Sequence, residues 1–107
     1  MPRRRGCSGR GDDHADIRSW TDQGVRTVKD TPKRIQAAKE RGKKLGVDIK
    51  QIFLTTGDFD LLVIAEAKDG DAMAKLAMAA GAEGNVRTRT VRAWTESEIA
   101  KLISELP

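Results

Sequence analysis

The sequence predicts an α+β domain. Three observations predict it. The order helix, strand, strand, helix, strand, helix can be read from Thr21 onward. Two adjacent strands carry apolar residues on both faces. The length, 107 residues, leaves room for one domain with a real core.

The elements follow in turn. Thr21-Asp22-Gln23-Gly24 reads as a turn. Asp30 or Thr31 can cap a helix whose first turn accepts Pro32. Ile35, Ala38 and Leu45 then share one stripe, and Gly46 suits a left-handed C-terminal cap. Residues 49–56 and 59–67 read as strands joined at Thr56-Gly57-Asp58. Simple alternation puts Ile52 and Leu54 on one face, with Ile49 and Phe53 on the other. Leu62 and Ile64 likewise oppose Leu61 and Val63. A second helix fits residues 71–80, with Met73, Leu76, Ala77 and Ala80 inward and Gly81 at its end. Residues 85–94 are rich in strand formers. Thr95-Glu96-Ser97-Glu98 is a capping box, and Ile99, Leu102, Ile103 and Leu106 mark the apolar face of a last helix.

One strand placed before this series completes βαββαβ, the ferredoxin-like arrangement, with a C-terminal helix added. The stretch available for it is polar. Residues 1–19 are dominated by Gly, Arg, Ser and Asp, and Ile17 is the only large aliphatic after Met1. The first strand of this fold is central. Unpaired carboxylates buried there cost several kcal/mol each, against a total stability of about 5–15 kcal/mol. The chain therefore divides into an atypical N-terminus, 1–19, and a domain over 20–107. Residues 1–19 are expected to be either disordered or translated in the wrong frame. His-Ala-Asp-Ile-Arg can be encoded so that the frame one base later reads Met-Pro-Thr-Tyr-Val, a plausible strand start.

Composition narrows the classes of function. Charged residues make up 34%, and aromatics 4% with no Tyr. No apolar run nears the ~20 residues needed to span a bilayer. A lone cysteine, Cys7, forms no intrachain disulfide and fits a reducing compartment. The basic start lacks an apolar h-region, so a cytoplasmic location is expected. Residues 26–50 hold nine Lys/Arg and three Asp/Glu, a net of +6 in a chain whose total is +4. That excess reads as a solvated helix face, with a nucleic-acid patch as the alternative. No aromatics interleave with it, so nucleic acid is not the expected partner.

Helices of a βαββαβ unit cover one sheet face only. Strands apolar on both faces need a second cover, and a second copy of the chain is the simplest candidate.

Several landmarks resemble one family. They are Trp20-Thr21-Asp22-Gln23-Gly24, Asp30-Thr31-Pro32-Lys33-Arg34, Thr56-Gly57-Asp58-Phe59-Asp60, Glu66 and Gly84-Asn85-Val86-Arg87-Thr88. In order and spacing they look like the GYD-domain family, small bacterial and archaeal proteins of the dimeric α/β-barrel group. The resemblance covers roughly residues 20–107. It implies a ferredoxin-like fold and a sheet-to-sheet homodimer, and it implies no activity. The family's Gly-x-Tyr-Asp element falls on Gly57, Asp58, Phe59 and Asp60. Phe59 replaces the tyrosine, so no phenol is available there.

Chemistry-bearing residues are few. From Trp20 onward there is no His and no Cys, so no metal, haem or triad ligand set is expected there. No cofactor is expected. Asp58 and Asp60 share parity at a strand start and read either as a general base or cation site, or as turn chemistry with an ion pair. Arg87 and Arg89 share a strand face, with Arg92 on the other. They read as an anion clamp or as partners of Asp58, Asp60 or Glu66. Trp20 and Trp94 end the first and last strands. With Phe59 they either line a pocket or plug a core end.

The expected function is a homodimeric module that binds a small ligand, with Trp20, Phe59, Asp60, Arg87 and Trp94 as ligand-binding candidates. The alternative is a cofactor-independent monooxygenase- or isomerase-like enzyme using Asp58, Asp60 and Arg87. A third is nucleic-acid binding through the basic first helix.

Overall fold

A computed structural model describes residues 11–107. Strand β1 (Asp12–Trp20) leads into a short helix α1 (Asp22–Arg26) and a single 3₁₀ turn, Val28–Asp30. Helix α2 (Thr31–Leu45), strands β2 (Val47–Leu54) and β3 (Leu61–Ala67), helix α3 (Gly70–Ala82), strand β4 (Val86–Ala93) and helix α4 (Glu96–Ser104) follow. The sheet order is β2-β3-β1-β4, and every neighbouring pair is antiparallel. This is a ferredoxin-like sheet with α2 and α3 on one face.

The N-terminal expectation needs correction. Residues 12–19 are not disordered: they form the central strand, hydrogen-bonded to β3 and β4 at once. The ordered domain thus starts before residue 20, and residues 1–10 lie outside the described residues. The strand pattern was invisible because its inner face carries His14, Asp16 and Arg18, all buried. Backbone pairing on both sides holds a sequence that side-chain periodicity would reject.

Pairing sets which residues face the helices. Val63 and Ala65 lie opposite Asp16 and His14, and their side chains are buried with Val47, Ala67, Ala72, Met73 and Leu76. Close helix packing uses the alanines of α3. A bulge between Ile49 and Gln51 shifts the register of β2. It brings Ile49 to the inner face beside Ile52, where simple alternation had placed it outside.

Local signals set the ends. Gly46 adopts φ 90°, and its N–H closes α2 onto Gly42 and Lys43. Asp30 precedes α2 without capping it through its side chain. Helix α3 is capped instead by Asp69, which accepts from Ala72 N–H at 2.8 Å, and it runs through Gly81 to Ala82. The capping box at Thr95 and Glu98 is complete.

The turn expected at Thr21–Gly24 opens α1, with Thr21 as its cap. Thr21 also ties this corner to the turn between α3 and β4. Its hydroxyl donates to Gly84 O at 2.6 Å, and its N–H to Asn85 O at 3.1 Å. Gln23 reaches Asn85 Oδ1 at 3.0 Å. A Cβ on buried Gly24 would collide with the Asn85 carbonyl, so glycine is required there.

Candidate functional site

The inner layer is not closed at the Trp20 end of the sheet. A cavity of about 50 Å³ lies between α2 and the strands. It is floored by apolar residues including Ile49, Ile52 and Val63, and roofed by Ile35 and Ala38 of α2. Three arginines line it: Arg18 from β1, and Arg34 and Arg41 from one face of α2. An open groove of about 480 Å³ continues from it along the edge strand. The two spaces share Trp20, Thr31, Ile35, Ile52 and Leu61.

Each arginine is held differently. Arg18 Nε donates to Asp16 Oδ2 at 2.8 Å, and the Arg18 side chain is 10% exposed. The other oxygen of Asp16 accepts from the Thr90 hydroxyl at 3.3 Å. Arg41 Nη2 pairs with Glu83 Oε2 at 2.9 Å. Arg34 Nη2 donates to Thr27 O at 2.9 Å and also contacts the Thr27 hydroxyl. Arg34 thus has no carboxylate partner among the described residues. Arg18 Nη2 and Arg34 Nη1 are buried donors with no hydrogen-bond acceptor there. The hydrogen bond from Arg41 holds the Glu83 carboxyl below its ordinary value, and the charges of Arg41, Arg18 and Arg34 act in the same direction against desolvation. Two carboxylates, Asp16 and Glu83, face three guanidiniums.

The residues expected from sequence are distributed otherwise. Asp60 is an anchor: its Oδ2 accepts from Trp20 N–H at 2.9 Å, and its own N–H donates to Arg18 O at 3.0 Å. Phe59 O accepts from the Thr55 hydroxyl at 2.7 Å, which fixes the β2–β3 loop. Asp58 is exposed at that loop, beside Gly57 at φ 108°. Arg87 pairs with Ser19 across β1 and β4, on the face away from the helices, and Arg89 pairs with Ile17 on that same face. Neither arginine forms an ion pair among the described residues. Glu66 pairs with Lys50 instead, at 3.2 Å.

Trp94 is the clear correction. β1 and β4 are antiparallel, so Trp20 lies opposite Val86 while Asp13 lies opposite Ala93. The two tryptophans therefore stand at opposite ends of the sheet and line no common pocket. Trp94 stacks under Arg92, whose guanidinium carbon is 4.6 Å from the ring centre. Arg92 also pairs with Asp12 at 3.1 Å. Of the expected ligand-binding residues, only Trp20 lines the cavity.

Residues 17–103 match the GYD domain. The chain belongs to the GYD-domain family. No curated protein matches it. The tie between Thr21, Gln23 and Gly84-Asn85 joins two stretches of this GYD domain that are far apart in sequence. Sequence reasoning singled out both stretches without seeing that they meet. It missed Arg18, Arg34 and Arg41 as a group, because they come from a polar strand and a generally basic helix. Among the described residues no three His, Cys, Asp or Glu side chains converge as a metal site. No helix there is long and apolar enough to cross a membrane.

Proposed function

We propose that this GYD domain is a homodimeric binding module that pairs through the sheet face turned away from α2 and α3 and holds a small ligand. The observation that supports pairing is the composition of that face. Ile17, Leu62, Ile64, Phe53 and Val91 point outward from four adjacent strands. Phe53 and Val91 are about half exposed, at 47% and 51%. Contiguous apolar area of this kind is characteristic of association surfaces. A two-fold pairing buries the same patch on both copies.

Helix α4 favours the same reading. It buries none of its residues, and Ile99, Leu102, Ile103 and Leu106 are 47–68% exposed. A nine-residue helix gains its stability from packing rather than propensity. In the dimer α4 lies across the second copy.

Light scattering on the purified full chain tests the pairing. A dimer mass is expected at micromolar concentration. Ile64→Asp puts a carboxylate in the middle of the interface, and Leu102→Glu spoils the apolar side of α4. Both variants should shift the mass toward the monomer, with the helical CD signal of α2 and α3 retained. A wild-type chain that stays monomeric at that concentration removes the dimer.

A further inference from the structure

We propose that the ligand is an amphipathic oxyanion, a carboxylate or phosphate head on an apolar body, bound between α2 and the sheet with its head between Arg18 and Arg34. This rests on the reading of the chain as a small-ligand binder and is independent of how the copies pair.

Buried polar groups in folded proteins are almost always hydrogen-bonded. Arg18 Nη2 and Arg34 Nη1 are two exceptions, and they belong to residues that line the same cavity, one from β1 and one from α2. A guanidinium has donors and no acceptors, so the group that completes both is an acceptor. The charges ask for an anion: three arginines meet two carboxylates, and Arg34 is the one without an acidic partner among the described residues. Oxyanions match the planar fork of arginine donors, and hydrogen bonds between charged groups are the stronger kind. The Arg41 hydrogen bond is the main cause that lowers the Glu83 carboxyl, and the charges of Arg41, Arg18 and Arg34 add to it in the same direction.

The remaining wall decides the body of the ligand. About 50 Å³ holds a compact head group or a few waters, not a whole metabolite. The continuation is the groove toward Leu54, lined by Trp20, Ile35, Ile52, Leu61 and Val28. An apolar chain there covers side chains that the protein itself leaves open to water. A free inorganic anion satisfies the donors but uses none of this surface.

Trp20 lines both spaces, which gives a direct readout. The chain has two tryptophans. Trp94→Phe leaves Trp20 as the single fluorophore, at a position remote from the substitution. Titration of this protein with sodium octanoate or octyl phosphate should give a saturable change in Trp20 emission. Comparison of the two heads tells carboxylate from phosphate. Octanol, with the same chain and no charge, should bind at least about tenfold more weakly, and inorganic phosphate alone should also be weak. Arg34→Gln, made in the same background, should weaken octanoate or octyl phosphate by about tenfold or more and leave octanol unchanged.

The outcomes separate cleanly. If octanol matches both charged ligands, a small-ligand site remains and the anion assignment falls. An unchanged affinity in Arg34→Gln also overturns it. If no ligand moves the Trp20 signal, the small-ligand reading falls together with it. The comparison of heads uses no variant beyond Trp94→Phe, so it stands even if Arg34→Gln folds poorly.

Discussion

Asp16 and Arg18, two residues apart on the central strand, form a 2.8 Å ion pair on the side facing the helices, and Asp16 has no exposed surface. Two charges buried beside Val63, Ala65 and Leu61 are an expensive arrangement. Removing one partner leaves the other buried and uncompensated. Arg18→Leu should therefore lower stability by about 3–5 kcal/mol. The double variant Asp16→Val, Arg18→Leu should recover that loss and can exceed wild type by about 1–4 kcal/mol. Urea unfolding of the three proteins checks this. A double variant as unstable as Arg18→Leu contradicts it.

Asp60 is expected to act on stability rather than on chemistry. Its carboxylate receives the N–H of Trp20 at the end of β1, so Asp60→Ala strands that donor. A loss of about 1.5–3 kcal/mol follows for a hydrogen bond to a charged acceptor. Asp60→Asn keeps an acceptor oxygen and should lose less. Thermal melts of both variants distinguish this anchoring role from a base. Equal stability of all three proteins is the contrary result.

The Arg41–Glu83 pair gives a pH dependence of known sign. Glu83 is held below its ordinary value of 4.5 in the folded protein. Its contribution is present above the unfolded value and is lost as pH falls through the lower folded value. Glu83 is 49% exposed on its side chain, so solvent screens the pair and it is worth at most about 1 kcal/mol. Glu83→Gln should flatten the acid limb of the stability curve by that small amount. The difference between the two proteins should shrink in high salt.

The wrong-frame reading of residues 1–19 makes a prediction that coding DNA answers. Read one base later, His14–Arg18 should give Met-Pro-Thr-Tyr-Val. Pairing gives that reading a physical test the sequence lacked: Met, Thr and Val would stand where His14, Asp16 and Arg18 face the helices. The ligand site would then keep Arg34 and Arg41 and lose Arg18. A coding sequence with no apolar strand in the displaced frame ends this reading.

The helices and the later strands were legible because their signals are local. Pro32 and Gly46 bracket α2, and Thr95 with Glu98 starts α4. β1 was not legible, since His14, Asp16 and Arg18 occupy the positions where periodicity looks for apolar residues. The face of Ile49 was misassigned because a bulge changes parity without changing composition. Placing Trp20 beside Trp94 failed for a different reason. Neighbouring strands need not bring their ends together when they run in opposite directions. The orphaned donors of Arg18 and Arg34 are a relation between a strand and a helix, and no spacing along the chain encodes it.

The central position of β1 has a kinetic consequence. Strand β1 is synthesised before both strands it pairs with in the sheet, β3 and β4. Only β2 and β3 can zip as sequence neighbours. Closing the rest demands pairings far apart in sequence, which form more slowly than local ones. Until β3 and β4 are made, β1 offers unsatisfied strand edges, and a nascent chain stalled at that stage is the form most exposed to chaperones and aggregation.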